Sequence, residues 1–138
     1  MEAFRGRYVR TSEVQYEDFL KALGVSFLQR RAAMASSPTT EVTREAGLWT
    51  ITTATILKAV SLTFTLGEEF DDVTPDGRDT MSLVTLEEGR VVTVQRAKVA
   101  GERSTRSTLE LVGGELVYTI LVEEEPGVTC VQTFRRVH

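Results

Sequence analysis

The spacing of apolar residues changes partway along this chain, and that change limits the available folds more than any other feature. Between Ser12 and Pro38 they recur at a helical period, whereas nearly everything afterwards alternates with period two. Tyr16, Phe19, Leu20 and Leu23 fall at i, i+3, i+4 and i+7, so they share one helix face, and Gly24 is a natural stop. Ser26, with Gln29 in the capping-box position, opens a second helix through Phe27, Leu28, Arg31, Met34 and Ala35 that Pro38 ends. Two helices over about 14–36 are expected. Isolated helices below about 12–15 residues are marginal in water, so the pair must cover something else.

What it covers reads as strand. Phe4-Arg5-Gly6-Arg7-Tyr8-Val9 is a short first strand with a bend at Gly6. Thr39–Arg44, Leu48–Ala54 and Leu57–Thr65 follow, then Asp76-Gly77 marks a tight hairpin. Met81–Leu86, Arg90–Arg96, Ser104–Val112, Leu116–Val122 and Val128–Val137 complete a series of about ten strands with turns between them, the rhythm of an antiparallel all-β architecture. Several strands carry Thr on both faces, Thr50, Thr52, Thr53 and Thr55 most plainly. That suits a barrel whose interior is part apolar and part wet, although Thr is also simply a good strand former.

With 138 residues, one domain spanning 1–138 is expected, large enough for a single core or a single cavity. Nothing approaches the ~18 apolar residues of a membrane helix, and the N-terminus lacks a signal-peptide apolar run. A lone cysteine, Cys130, excludes an internal disulfide framework and fits a reducing compartment. The net charge of −4 argues against general nucleic-acid affinity.

Catalysis has few residues to work with. The one histidine, His138, is the last residue, Cys130 has no base near it in sequence, and neither a phosphate loop nor metal-ligand spacing occurs. No enzyme, cofactor or metal is expected. The last strand is more informative: Val128, Cys130, Gln132 and Phe134 share a face, which sets an amide among apolar side chains. A buried amide without a partner costs about 1–3 kcal/mol, so another side chain, a water or a ligand must satisfy Gln132.

Phe4-Arg5-Gly6-Arg7-Tyr8, the run Tyr16 to Val25, Leu66-Gly67-Glu68-Glu69-Phe70-Asp71 and Cys130-Val131-Gln132-Thr133-Phe134 resemble, in order and over nearly the whole chain, the landmarks of the intracellular lipid-binding proteins. That family includes the fatty-acid-binding and cellular retinoid-binding proteins. The resemblance implies a ten-stranded antiparallel up-and-down β-barrel of the lipocalin-like, calycin type, built of two near-orthogonal five-stranded sheets and capped by a helix-turn-helix lid. Three departures stand out: Arg10 replaces an apolar residue, Gln15 replaces Asn, and Tyr8 replaces Trp.

The resemblance further implies a cytoplasmic, monomeric carrier of a small hydrophobic ligand. Its pocket would comprise Gln132, Phe134, Leu109, Cys130, Tyr16, Leu20, Ala33, Pro38, Leu57, Asp76, Arg78 and Gln95. Carboxylate-binding members use an Arg-x-Tyr pair where this chain has Gln132 and Phe134, and Leu109 stands at the place of another arginine. A neutral amide suits an alcohol, aldehyde, amide or ester, so the pattern is similar to the retinol-binding branch. The alternatives are a fatty acid held by Arg78 or Arg106, although alternation turns Arg106 outward, and a ligand-free scaffold. The preference for an uncharged guest requires that no guanidinium share the hollow with Gln132. Lys21, Arg30 and Arg31 form a basic lid patch resembling a nuclear-import signal of some members. Docking to an anionic membrane, or a plain solvated face, is the alternative.

Overall fold

The computed structural model describes residues 1–55, 58–125 and 127–137. A 3-10 turn, Glu2–Phe4, leads into β1, Gly6–Val14, followed by α1, Tyr16–Ala22, and α2, Phe27–Ala35. The remaining strands are β2 Thr39–Glu45, β3 Leu48–Ala54, β4 Ala59–Phe64, β5 Phe70–Val73, β6 Asp79–Glu87, β7 Arg90–Ala97, β8 Thr105–Val112, β9 Glu115–Val122 and β10 Thr129–Val137. All ten form one antiparallel ladder in the order β4-β3-β2-β1-β10-β9-β8-β7-β6-β5. The expected barrel is present and nearly closed; among the described residues its one seam lies between β4 and β5, which share no ladder. Pairing continues through every other junction, so the five-and-five arrangement is not a break in hydrogen bonding.

Among the described residues, two strands differ from the sequence reading. β1 does not end near Val9: Ser12, Glu13 and Val14 pair with Thr133, Gln132 and Val131 of β10, past a register shift between Arg10 and Ser12. Tertiary pairing has taken residues that helical spacing claimed for the lid. β5, only four residues with two aspartates, is too short to show alternation in sequence. β4 starts at Ala59, and the expected strand start at Leu57 lies outside the described residues.

The helix signals hold in detail. α1 closes in a Schellman motif, with Gly24 at φ +84, its N–H donating to Lys21 O, and the Val25 N–H reaching back to Leu20 O. The Ser26 hydroxyl accepts from the Gln29 N–H at 3.3 Å and caps α2. Phe19 and Leu20 are buried beneath α1, whereas α2 buries no residue and leaves Phe27 and Leu28 exposed. α2 therefore faces the barrel with small residues, Ala32 and Ala33, and not with its larger apolar ones.

The core is divided. One cluster, including Phe4, Tyr8, Trp49, Phe64, Leu116 and Phe134, fills one end of the barrel, and a second, Phe19, Leu20, Ile120, Val122 and Cys130, joins α1 to β9 and β10. Tyr118 packs against both. The first end is tied shut by polar contacts: the Tyr8 hydroxyl donates to Phe4 O at 2.7 Å, and Arg136 lies over the Tyr8 ring and donates to its oxygen.

Candidate functional site

Between the two clusters lies a cavity of about 550 Å³. Both helices and the inner face of the barrel wall it, with residues of both core clusters and a share of polar side chains. A dry void of that size would cost about 13 kcal/mol at ~24 cal/mol per Å³, as much as the whole stability of a typical domain. Thr40, Thr53, Thr93, Gln95, Ser107 and Gln132 in its wall let the fold keep the space by making it wettable. The Thr-rich strand splits its threonines: Thr53 and Thr55 line the cavity, whereas Thr50 bonds Thr63 on the exposed side and Thr52 bonds Ser61, which itself borders the cavity.

Strands, lid helices and the turns between them bring the expected residues together. Gln132, Phe134, Leu109, Cys130, Tyr16, Leu20, Ala33, Pro38, Asp76, Arg78 and Gln95 all border this cavity. Leu57 lies outside the described residues. Gln132 is buried, 8% exposed, and its amide makes no hydrogen bond among the described residues. Beside it in register is Tyr118 of β9, which also stands opposite Leu109 of β8, so three strands present one row to the space. Burial pushes the Tyr118 hydroxyl up to about 12 against the opposing pull of a hydrogen bond with Ser107, which keeps it a neutral donor. Cys130 is likewise raised, to about 11, by burial and then by the Glu13 carboxylate.

Tyr118, Ser107, Thr93 and Asp72 belong to the cavity wall but were not singled out from sequence. The row Leu116, Tyr118, Ile120, Val122 alternates cleanly and was available to a period-two reading. Asp72 was hidden because β5 was. Burial raises the Asp72 carboxyl, while the amide it accepts from Gln95 at 3.1 Å opposes that shift. Thr105 donates to the other end of the same Gln95 amide, linking β5, β7 and β8.

The requirement that no guanidinium share the hollow with Gln132 is not met. Arg78, 5% exposed, stands in the wall, but its charge is committed: Nε and Nη2 donate to Asp76 at 2.7 and 3.1 Å, and Nη1 donates to Arg103 O at 2.6 Å. Arg10, opposite Phe134 on the inner face, lies over the Tyr16 ring with its guanidinium 5.2 Å from the centroid. Arg106 is exposed and paired beside Val94 on the outside, so strand parity removes it as a carboxylate partner. The basic lid patch is also smaller than expected. Lys21 and Arg31 are exposed, but Arg30 is half-buried and donates to Val25 O at 2.7 Å, which ties α2 to the interhelical turn.

Among the described residues no group of three or more His, Cys, Asp or Glu is placed to hold a metal ion, and no helix is long and apolar enough to cross a membrane.

The chain is 38% identical over 119 residues to fatty acid-binding protein homolog 5 of Caenorhabditis elegans, covering 86% of this chain and 88% of that one. It is 33% identical over 140 residues to cellular retinoic acid-binding protein 2 of Mus musculus, with 99% of each covered. The crystal structure of apo lipid binding protein 8 of Caenorhabditis elegans superposes with a TM-score of 0.94 at 30% identity, covering 99% of this chain and 97% of that one. The family model described as lipocalin / cytosolic fatty-acid binding protein matches residues 6–137. With barrel, lid and enclosed cavity in place, the chain belongs to the lipocalin / cytosolic fatty-acid binding protein family.

Proposed function

We propose that this protein is a non-enzymatic carrier that encloses one long-chain hydrophobic molecule in the barrel and moves it through the cytosol. The observation that carries the reading is the cavity of about 550 Å³ between lid and sheet, within the ~300–1,000 Å³ typical of ligand pockets. Burying the chain of a lipid there, at roughly 25 cal/mol per Å² of apolar surface, supplies most of the affinity. The ligand enters beneath α1 and α2 and displaces water, and the lid opens for release. Relatives named for fatty acid and retinoic acid binding support the ligand class.

An alcohol head, as in a retinoid such as retinol or a long-chain alcohol, meets Gln132 and Tyr118, while the Arg78 guanidinium in the same wall removes any preference for an uncharged over an acidic guest. Gln132 and Tyr118 can both donate and accept, and Gln132 has no other partner among the described residues. Native mass spectrometry of freshly purified protein tests the carrier reading: a lipid of defined mass should be retained. An empty protein that refuses both fatty acids and retinoids would leave only a scaffold. Gln132→Leu should change the preference among alcohol, acid and hydrocarbon probes of one chain length, by about tenfold for the alcohol. An unchanged preference removes Gln132 from the site.

A second reading concerns the lid. Phe27 and Leu28 are exposed beside Arg31, whose guanidinium lies 5.4 Å from the Phe27 centroid. This pattern fits transient contact with an anionic membrane during transfer, and loss of charge-dependent vesicle transfer in Lys21→Ala/Arg31→Ala would support it. Altered nuclear accumulation in the same variant would point to an import signal instead.

A further inference from the structure

We propose that Arg10 is the anchor for an acidic ligand head group, a long-chain carboxylate held at the lid side of the cavity. The inference rests on the carrier reading above and adds a second head-group position to it.

Arg10 sits on the inner face of β1, opposite Phe134. Its backbone N–H donates to Pro38 O at 3.1 Å, its Nη2 donates to Ser36 O at 2.9 Å, and its guanidinium packs over Tyr16. Tyr16, Ser36, Pro38 and Phe134 all border the cavity. The Nη1 atom is buried and has no hydrogen-bond partner. A guanidinium nitrogen carries two N–H groups at that position, and leaving a charged donor unpaired in the interior is among the costlier states a side chain can adopt.

The guanidinium that does line the cavity, Arg78, offers no comparable capacity, because Asp76 and Arg103 O occupy its nitrogens. The carboxylate nearest in sequence to Arg10, Glu13, accepts from the Tyr16 N–H at 3.3 Å and forms no ion pair with Arg10 within 4.0 Å. Arg10 does not itself line the cavity, but the Tyr16 ring it packs on does, so a movement of that ring is required to bring Nη1 to the space. A carboxylate accepts there, and its charge is compensated. An alcohol head gains no such compensation and remains with Gln132, two residues along β10 from Phe134, so the two head-group positions are neighbours on the same stretch of wall.

The test compares palmitic acid with hexadecanol, which differ only at the head, by titration calorimetry on the wild-type chain and on Arg10→Leu. Arg10→Leu should weaken palmitic acid by at least about tenfold and leave hexadecanol within about twofold. Equal weakening of both would make Arg10 a lid fastening only and overturn the proposal, as would no change in either. Should Arg10→Leu fail to fold, palmitic acid labelled with an NMR-active isotope at its carboxyl carbon is titrated with pH on the wild-type protein. A bound carboxyl ionising below its value in free solution supports the anchor, and an ordinary or raised value overturns it. Failure of the wild-type protein to bind either probe would instead overturn the carrier reading itself.

Discussion

Gln15 carries the clearest local strain in the lid. It joins β1 to α1 at φ 64, a left-handed conformation that a long side chain adopts at a cost and that asparagine tolerates better. Gln15→Asn should therefore stabilise the fold by about 0.5–1 kcal/mol, read as a rise in the urea midpoint at constant m-value. Tyr118 makes an alkaline prediction. Its folded-state value of about 12 lies above the ordinary 10, so the folded protein holds this proton more tightly than the unfolded chain. That contribution is complete below pH 10 and is lost as pH rises toward 12. Tyr118→Phe should flatten the decline of stability across this window, and equal slopes in both proteins would contradict the assignment. Cys130, Gln132 and Phe134 were legible from clean alternation on one strand, whereas Tyr16, Leu20, Ala33, Pro38, Asp76, Arg78 and Gln95 were expected in the wall only through the family resemblance. Arg10 could be noticed as out of place, but its orphaned Nη1 depends on Ser36 and Tyr16 folding back over it, which no local pattern encodes.

At the scale of elements, the lid is held by its ends more than by its faces. α1 buries Phe19 and Leu20, whereas α2 buries nothing and relies on the Ser26 cap, the Arg30 contact to Val25 O and the Arg10 contact to Ser36 O. Ser26→Ala should cost about 1 kcal/mol and quicken amide exchange in α2 while β9 keeps its protection, as seen by hydrogen-exchange mass spectrometry. Both helices and the stop at Gly24 between them were legible, because capping residues and positive-φ glycines act over a few residues. The start of α1 was not. Ser12 and Glu13 are claimed by β10, a partner more than a hundred residues away that only the closed barrel brings alongside. β5 escaped for a similar reason, since its identity as strand comes from pairing Phe70–Val73 with Asp79–Ser82 across the Thr74–Arg78 turn.

For the whole molecule, splitting the core into two clusters creates the function. A large apolar side chain added at the cavity wall should stabilise the empty protein while reducing capacity for a long-chain guest. Ser107→Phe is suited to this test because Ser107 is buried, inward-facing and beside the row containing Tyr118. Its thermal midpoint and the stoichiometry of bound palmitic acid should move in opposite directions. That a hollow exists at all was suggested by Thr-rich strands with imperfect alternation, but its size depends on long-range packing of helices and strands that no local pattern encodes.

Along β4 and β5 no backbone bond ties one edge to the other among the described residues. Spreading the wall there sacrifices no ladder contact, whereas parting any other neighbouring strands would break several. The vessel consequently has a soft side, and if it carries a lipid as proposed, that is where a guest of greater girth would let out the wall at least cost.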